Sequence, residues 1–285
     1  MSNDNSTSLV NLGELSKPAN TLIEKVSSAI GGVFEPWQIK RVAKAEAAAS
    51  LIKAESEIQI SDLHRRAMHR FVEEEANRQK NMEEITRKSI PHLEEQANPE
   101  NMGDDWVTNF FDKSRIISDE EMQAIWASVL AGEANAPGTF SRRTVNLLSD
   151  LDKRDAELFQ NLCRFGWVIG NFTPLIFDSQ APIYNNLGIN FNSLSHLDSL
   201  GLIQFNSISG FRRQRLPKNF VVAYCGQPLP LEMKNGQENN LPIGQILLSQ
   251  AGQELAQVVQ IPGVDGFYDY VKNQWKSHLP SEENT

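Results

Sequence analysis

The feature that most constrains the fold is a regular run of helix signals over residues 118–159. Ser118 is followed three residues later by Glu121, a spacing typical of a capping box, in which side chains and backbone satisfy each other's unused donors where a helix begins. The residues that follow have the helical spacing of a single apolar stripe. This stripe consists of Met122, Ile125, Trp126 and Val129.

Two shorter helices are predicted after this one. Gly132, followed by the pair Pro137-Gly138, predicts the end of the first helix. Ser141 and Asp152 are each placed to cap a short helix, because their side-chain oxygens accept hydrogen bonds from backbone amides. The stretch therefore predicts a compact helical core. We expect three of its side chains to hold the helices together: Trp126, Leu130 and Phe140.

Residues 117–159, ISDEEMQAIWASVLAGEANAPGTFSRRTVNLLSDLDKRDAELF, resemble a family of uncharacterised bacterial proteins. Its hallmark is a helix of the form I-S-[DE]-E-[ED]-[ML]-Q-x-[IL]-W-A-x-[IV]-L-A-G-E, followed by P-G-[ST]-[FY]-S-x-[RK]-[TV]. A related motif occurs in the alpha-type abortive-infection (phage-exclusion) proteins. The resemblance implies a role in phage defence and brings no catalytic residues. It implies a structural hallmark carried by Ser118, Glu121, Trp126, Leu130, Gly132, Phe140 and Ser141.

Composition excludes some classes of protein. The net charge of −9 and the pI near 5.2 argue against a protein that coats nucleic acid through its overall field, although a local basic patch stays open. The first 13 residues lack the basic and apolar regions of a secretory signal. The longest uncharged apolar stretch, residues 165–177, is shorter than the roughly 20 residues of a membrane-spanning helix. Cys163 and Cys225 are expected to be buried thiols, which fits a cytoplasmic protein.

The N-terminal third is predicted to be helical. Residues 18–34 form an amphipathic segment, which either lies on a membrane surface or packs on this protein or another copy of it. Residues 37–96 contain no glycine and equal numbers of basic and acidic side chains, 11 of each. Balanced charge with sparse apolar residues is typical of a long exposed helix with a narrow apolar stripe. Such a helix usually packs against a partner helix, in the same chain or in a second copy, and we expect a homo-oligomer formed through it.

The composition changes after Gly170. A helix capped by Asn192 or Ser193, strands at residues 202–205 and 220–224, and a basic loop between the strands form the outline of a winged-helix unit. Two interpretations of the loop stay open: it contacts nucleic-acid phosphates, or it faces solvent or another protein. The predicted recognition helix carries Asp198 and no lysine or arginine. The basic residues of the loop are Arg212, Arg213, Arg215 and Lys218.

No motif indicates catalysis, a cofactor or a metal. His64 and His69 are five residues apart, which is off the spacing of a helical metal pair. No histidine lies beside a cysteine at ligand spacing. Neither a phosphate-binding glycine loop nor a nucleophile elbow is present. Arg142 and Arg143, at a predicted helix start, either meet an anion or pair with nearby glutamates. We therefore predict no catalytic, cofactor-binding or metal-binding residues.

The predicted fold is mainly α with a smaller α+β part. It consists of a disordered tail (1–17), amphipathic and long charged helices (18–98), a helical core with the hallmark (99–170), a winged-helix-like α+β domain (171–279) and a loose tail (280–285). The predicted function is that of a non-enzymatic cytoplasmic interaction or oligomerisation protein in phage defence. The alternatives are a nucleic-acid-binding regulator that uses the winged-helix-like domain and a peripheral membrane effector that uses residues 18–34.

Overall fold

The computed structural model of the chain describes residues 15–30, 62–259 and 262–280. These residues combine helices with antiparallel sheets. The chain divides into two compact units, Met1–Val145 and Asn146–Thr285. This division comes earlier in the chain than the boundary expected after Gly170. Most of the two predicted tails, residues 1–14 and 281–285, lies outside the described residues.

The first unit is built from helices. They are α1 (Lys17–Ala29), α2 (Asp62–Ser89), α3 (Asp104–Ser114), α4 (Glu120–Asn135) and α5 (Arg142–Asp150), which crosses into the second unit, with 3-10 turns at Ile90–His92 and Pro99–Asn101. The predicted long helix ends at Ser89 and not near Gln96. Pro91 causes this early end, because a proline disfavours helical geometry in the residue before it and has no amide hydrogen to donate. The first part of that predicted helix, residues 37–61, lies outside the described residues.

Helix α1 packs its apolar face into the first unit. Ala19, Leu22 and Val26 are fully buried. The Nζ of Lys25 lies 2.6 Å from the carboxylate of Asp104, at the start of α3. Packing of this face contradicts the membrane-surface interpretation of residues 18–34 over its described part, residues 18–30, because the side chains that would enter a bilayer are not accessible.

The core of the first unit is centred on aromatic rings from α3 and α4. Phe110 lies between Trp106, which stacks on it with ring centroids 5.1 Å apart, and Trp126, which meets it edge-on at 5.1 Å. The indole Nε1 of Trp106 donates to the backbone oxygen of Phe140 at 2.6 Å. Leu130 is fully buried and Phe140 is 2% exposed. These contacts tie the turn after α4 to the helices before it.

Two predictions at the ends of α4 are wrong. The residue that caps the N-terminus is Asp119 and not Ser118, because the carboxylate of Asp119 accepts from the amides of Glu121 and Met122, both at 3.0 Å. Gly132 lies inside α4, which continues to Asn135. The helix tolerates an internal glycine because buried residues on both sides, such as Ala131 and Glu133, hold it in place.

The described residues of the second unit combine short helices with eight strands. The helices are α6 (Lys153–Cys163), α7 (Pro182–Asn185), α8 (Phe191–Ser199), α9 (Gln250–Ala256) and α10 (Phe267–Gln274), with a 3-10 turn at Lys276–His278. The strands are β1 (Gly166–Ile169), β2 (Asn171–Pro174), β3 (Ile203–Phe205), β4 (Phe211–Leu216), β5 (Asn219–Tyr224), β6 (Gln227–Glu232), β7 (Asn239–Gly244) and β8 (Ile246–Leu248).

The strands form three antiparallel sheets. One has four strands in the order β2-β1-β5-β6, and the other two are the pairs β3-β8 and β4-β7. A single parallel bridge joins Ile176 to Gly244. A Cβ at Gly244 would lie 2.3 Å from the backbone oxygen of Ile176, and Gly244 has φ +96°, so only glycine fits this close approach. The core of this unit contains Trp167, which stacks between Tyr224 and Tyr268.

The structure corrects three expectations in the second unit. The predicted basic loop is largely strand β4, because Phe211–Leu216 pairs with β7. The strand at residues 203–205 pairs with β8 and not with residues 220–224, which belong to the four-stranded sheet. Helix α8 is capped by Asn190, whose side-chain oxygen accepts from the amides of Asn192 and Ser193, so neither of those two residues is the cap.

Candidate interaction surfaces

The first half of helix α2 is exposed on every side. Each residue from 62 to 77 is exposed, and we call this segment the exposed arm. Leu63 and Phe71 are the most exposed of its apolar residues, at 66% and 64%. Met68 and Val72 are also exposed. Met68 and Phe71 lie within about 60° of each other around the helix axis, whereas Leu63 and Val72 lie about 180° apart, so the four residues are spread over about half of the helix surface.

The side of the exposed arm that carries Met68 and Phe71 continues a face that is buried in the second half of α2. Met82, Ile85 and Ser89 lie on this face and are buried where α2 packs against α4. The spacing from Phe71 to Met82 is three helical turns, so the two residues share one face. The face of α2 that packs against α4 therefore continues, uncovered by α4, into the exposed arm.

Charge is unevenly distributed along the exposed arm. Residues 63–70 include three arginines and two histidines and no carboxylate, whereas residues 73–75 are three glutamates. Within one chain, Arg70 pairs with Glu74 at 3.3 Å and Arg78 pairs with Glu75 at 3.2 Å. These pairs are solvent-exposed, so each contributes well under about 1 kcal/mol and can exchange partners at little cost.

A polar network fixes the base of the exposed arm. The Nε2 of Gln123 donates to the backbone oxygen of Ile117 at 2.9 Å, and its Oε1 accepts from the Nζ of Lys88 at 2.9 Å. Asn81 donates to the backbone oxygen of Arg115 at 2.9 Å. Gln123 is buried, so these bonds are shielded from water. The network joins α2 to the segment between α3 and α4.

The same residues border an open polar groove of about 910 Å³. Ser118 lines this groove, which is where the structure places that predicted residue. Five lining residues are basic and three are acidic. Most of the basic ones are engaged: Arg87 pairs with Glu84 at 2.9 Å, and Arg115 pairs with Asp112 at 2.8 Å. The groove therefore holds internal ion pairs and is a poor receptor for an anion.

Of the residues predicted as a structural hallmark, Trp126, Leu130 and Phe140 are buried in the core of the first unit. Gly132 and Ser141 are partly buried, and Ser118 and Glu121 are exposed. Ser141 caps α5, where its Oγ accepts from the amide of Thr144 at 3.2 Å. Sequence reasoning missed the role of Glu133, whose buried carboxylate accepts from the amides of Gly138 at 2.7 Å and Phe140 at 2.8 Å. Glu133 thus closes the turn after α4. Its position inside the hallmark was the only signal available.

The basic residues predicted as a nucleic-acid contact lie on and beside β4. Arg212, Arg213 and Arg215 belong to the strand, and Lys218 follows it and pairs with Glu232 at 3.2 Å. None of the three arginine side chains forms an ion pair or hydrogen bond with another described residue. We call these three residues the basic strand.

The basic strand contains a β-bulge. The pairing of β4 with β7 shifts between Arg213 and Leu216, and Arg215 has φ +58°. A positive φ in a residue other than glycine costs on the order of 1 kcal/mol, and such strain is concentrated at functional sites. The bulge changes the direction of the Arg215 side chain relative to a regular strand.

Helix α8, the predicted recognition helix, presents few charges. His196 lies 2.7 Å from the carboxylate of Asp155 on α6, which joins the two helices. Phe191, at the start of α8, is half exposed and meets Phe205 edge-on. Asp198 is exposed. Arg142 and Arg143, the other basic pair considered from the sequence, are exposed at the start of α5.

The two cysteines have different environments. Cys163 is buried, and burial raises the pKa of its thiol. Cys225 is exposed, contrary to the sequence expectation, because it lies in the turn between β5 and β6 with φ +46°. Among the described residues, no group of three or more histidine, cysteine, aspartate and glutamate side chains is arranged to hold a metal ion. No helix within those residues is long and apolar enough to cross a membrane.

Comparison with protein families gives a match over most of the chain. A family model described as "Protein of unknown function (DUF2806)" matches residues 65–272. The chain belongs to this family. The match includes most of the exposed arm, the segment 117–159 and the basic strand. A search of curated proteins and a search of solved structures found no match.

Proposed function

We propose that this protein is a non-enzymatic interaction protein that associates with a second copy of itself through the exposed arm. The observation that carries the proposal is the exposure of residues 62–77 on all sides, with Leu63 and Phe71 about two-thirds exposed. Large apolar residues exposed together on one helix are typical of association surfaces.

The energetics of an isolated helix favour a partner. A helix of about four turns is marginal in water, because most helical stability in proteins comes from burying an apolar face. Burying a side chain such as Leu63 or Phe71 contributes about 1.5–3 kcal/mol. Association through the arm therefore stabilises both the complex and the helix itself.

We also propose that this association serves defence against phage in the cytoplasm. This part rests on the resemblance of residues 117–159 to the abortive-infection proteins. Its test is a plaque count on cells with and without the gene. Equal plaque counts across a panel of phages would contradict the defence role and leave the self-association proposal standing.

The self-association proposal is tested by the mass in solution. The chain weighs 32.0 kDa, so we expect light scattering to give a multiple of that mass that falls on dilution. Changing Leu63→Glu and Phe71→Glu together should reduce the mass to that of one chain. The matched control changes Ile208→Glu and Val221→Glu, two exposed apolar residues of the second unit, and should leave the mass unchanged.

Two outcomes would overturn this proposal. A single-chain mass for the unmodified protein at all concentrations would mean that no second copy covers the arm, and residues 31–61 would become the candidate occupant. If the Leu63→Glu, Phe71→Glu variant keeps the same multiple of the chain mass, the interface does not lie on the exposed arm.

A second candidate function is binding of nucleic acid through the basic strand. What supports it is three arginines without partners among the described residues, on a bulged strand of an otherwise acidic protein. Because α8 carries Asp198 and no lysine or arginine, the proposed contact is with phosphates and not with bases.

The test is the salt dependence of binding to a labelled DNA duplex. We expect binding at about 50 mM salt, with a slope of about −0.9 in log K against log salt for each phosphate contact. Changing Arg212, Arg213 and Arg215 to alanine should remove it. Changing Arg142, Arg143 and Arg154 to alanine removes equal charge from other exposed sites and should leave DNA binding unchanged. No binding at low salt, or equal loss in both variants, would contradict this candidate.

A further inference from the structure

We propose that the outer face of the four-stranded sheet holds the unpaired bases of a single-stranded nucleic acid whose phosphates contact the basic strand. This inference rests on the second candidate function and names its ligand class. It adds a contact with the faces of the bases, which carries no sequence information, to the phosphate contacts of the basic strand.

A row of apolar side chains crosses the outer face of the sheet. Strand register places Val168 of β1 opposite both Phe172 of β2 and Ala223 of β5. Ala223 is in turn opposite Pro228 of β6. Residues that are directly opposite each other in a sheet point to the same side. Val168 is 50% exposed, so the described part of the chain leaves this side of the sheet open.

A second apolar pair lies on the same side, two residues further along. Val221 is opposite Pro230, and Val221 is 62% exposed. An antiparallel sheet with one solvated face normally alternates apolar residues inside with polar residues outside. Here the inner side carries buried residues such as Trp167, and the outer side is apolar as well. A contiguous exposed apolar patch of this kind marks a binding surface.

The aromatic ring of the outer face is held against the sheet by a glycine. The Cζ and Cε2 atoms of Phe172 lie where a Cβ at Gly166 would be, so only glycine leaves room for the ring there. The ring stays partly exposed. Aromatic side chains stack unpaired bases of any sequence, because every base has a π face.

The basic strand reaches one end of this face. The Nη2 atom of Arg213 lies 3.5 Å from the position that a Cβ would take at Gly170, in the turn between β1 and β2. Gly170 follows Val168 by two residues, so the guanidinium lies beside the end of the apolar row. Phosphates bound by the basic strand would therefore lie next to the apolar face.

A single strand uses both features, whereas a duplex uses one. The base faces of a duplex are stacked inside the double helix, so only its phosphates could contact this surface. A single strand offers exposed base faces next to its phosphates. The sheet is about 14 Å wide over its four strands, which leaves room for two or three unpaired bases.

The first measurement compares two ligands by fluorescence anisotropy. One is a labelled single strand of about 12 nucleotides, and the other is the duplex that it forms with its complement, both at about 50 mM salt. We expect the single strand to bind about tenfold more tightly or better, because only its bases can contact the sheet.

The second measurement removes the ring and keeps the charge. Phe172→Leu leaves an apolar side chain against Gly166 and should raise the Kd of the single strand about fivefold or more. The Kd of the duplex and the slope of log K against log salt should not change, because stacking releases no counterions. The matched control, Phe191→Leu, removes a half-exposed ring at the start of α8 and should leave both Kd values unchanged.

A third variant avoids the packing of Phe172 against Gly166. Val168→Thr and Val221→Thr together keep the β-branched shape of two exposed side chains, so the sheet should stay folded, as circular dichroism would show. The added hydroxyl groups make the outer face more polar. We therefore expect this variant to weaken single-strand binding without changing the salt slope.

Three outcomes would count against the inference. Equal Kd values for single strand and duplex would overturn it and leave the phosphate contact of the basic strand standing. A single-strand preference that survives both Phe172→Leu and the threonine variant would overturn the sheet as the place of the bases. No binding of either nucleic acid would overturn the second candidate function together with this inference, and would leave the apolar face to a protein partner.

Discussion

Trp126 lies in the aromatic core of the first unit. It is fully buried, meets Phe110 edge-on, and its Nε1–H has no acceptor among the described residues. Truncation to alanine removes a large buried ring, so we expect Trp126→Ala to lower the free energy of unfolding by about 3–5 kcal/mol. Urea denaturation followed by circular dichroism measures this change.

The control for this prediction is Trp126→Phe. Phenylalanine keeps a ring against Phe110 and removes the donor that lacks an acceptor, so its cost should be clearly smaller than that of alanine. Equal losses in the two variants would show that the fit of the whole indole, and not burial of an aromatic ring, gives Trp126 its role.

The two cysteines give a second prediction at the scale of the residue. The thiolate is the reactive form, and burial raises the pKa of the Cys163 thiol while also blocking access to it. We expect one thiol per folded chain to react with an aromatic disulfide reagent near pH 8, and two in denaturant. Cys225→Ser should remove the fast reaction. Two reactive thiols in the folded protein would contradict the buried position of Cys163.

Apolar positions could be predicted from the sequence and polar partners could not. Helical spacing was enough to identify Trp126 as a core residue, because burial depends on the side of the helix on which a residue lies. The partners of Gln123 and Glu133 are oxygens and amides of separate segments, so no spacing indicates them. The buried hydrogen bonds of residues 117–159 follow only from the folded structure.

The start of helix α4 shows how a cap is chosen at the scale of the element. Ser118 and Asp119 both have capping side chains, and it is the carboxylate of Asp119 that accepts from two amides. Asp119→Ala should lower the free energy of unfolding by about 1 kcal/mol, because it leaves those amides without a protein acceptor and removes a negative charge from the positive end of the helix. Thermal and urea denaturation measure the loss.

Ser118→Ala is the matched change at the neighbouring position. Ser118 precedes the cap and borders the groove, so we expect its replacement to change the free energy of unfolding by less than about 0.5 kcal/mol. A larger loss in Ser118→Ala than in Asp119→Ala would restore Ser118 as the capping residue.

Strand pairing was the least predictable property of the elements. The segment FRRQRL was expected to be a loop because its charges suggest solvent, yet it forms β4 with β7, more than 20 residues later in the chain. An exposed edge strand tolerates arginine on both faces, so its composition differs little from that of a loop. The bulge at Arg215 adds an irregularity that alternation cannot reveal.

At the scale of the whole molecule, charge is separated into distinct surfaces. The net charge of the chain is −9, yet the basic strand contains three arginines. In the exposed arm the positive charges of one half nearly balance the negative charges of the other. Net charge therefore excludes nucleic-acid coating by the overall field but does not exclude a local contact. The proposed nucleic-acid contact depends on local charge, which is why its test removes arginines from the basic strand and compares their loss with that of arginines elsewhere.

The last prediction concerns the stability of the whole chain at alkaline pH. Burial raises the pKa of the Tyr184 hydroxyl, which donates to the backbone oxygen of Leu175 at 3.0 Å, and burial also raises the pKa of the Cys163 thiol. Because the folded-state pKa values are raised, the stability they contribute is complete below the unfolded pKa values, near 8.5 for cysteine and 10 for tyrosine, and is lost as the pH rises above them. We expect the free energy of unfolding to fall above about pH 9, as measured by urea denaturation at a series of pH values.

The control is the Tyr184→Phe variant, which cannot ionise at this position. Above about pH 10 its free energy of unfolding should fall less steeply than that of the unmodified protein, with slopes that differ by up to about 1.4 kcal/mol per pH unit. Parallel curves for the two proteins would contradict burial of the Tyr184 hydroxyl as the cause.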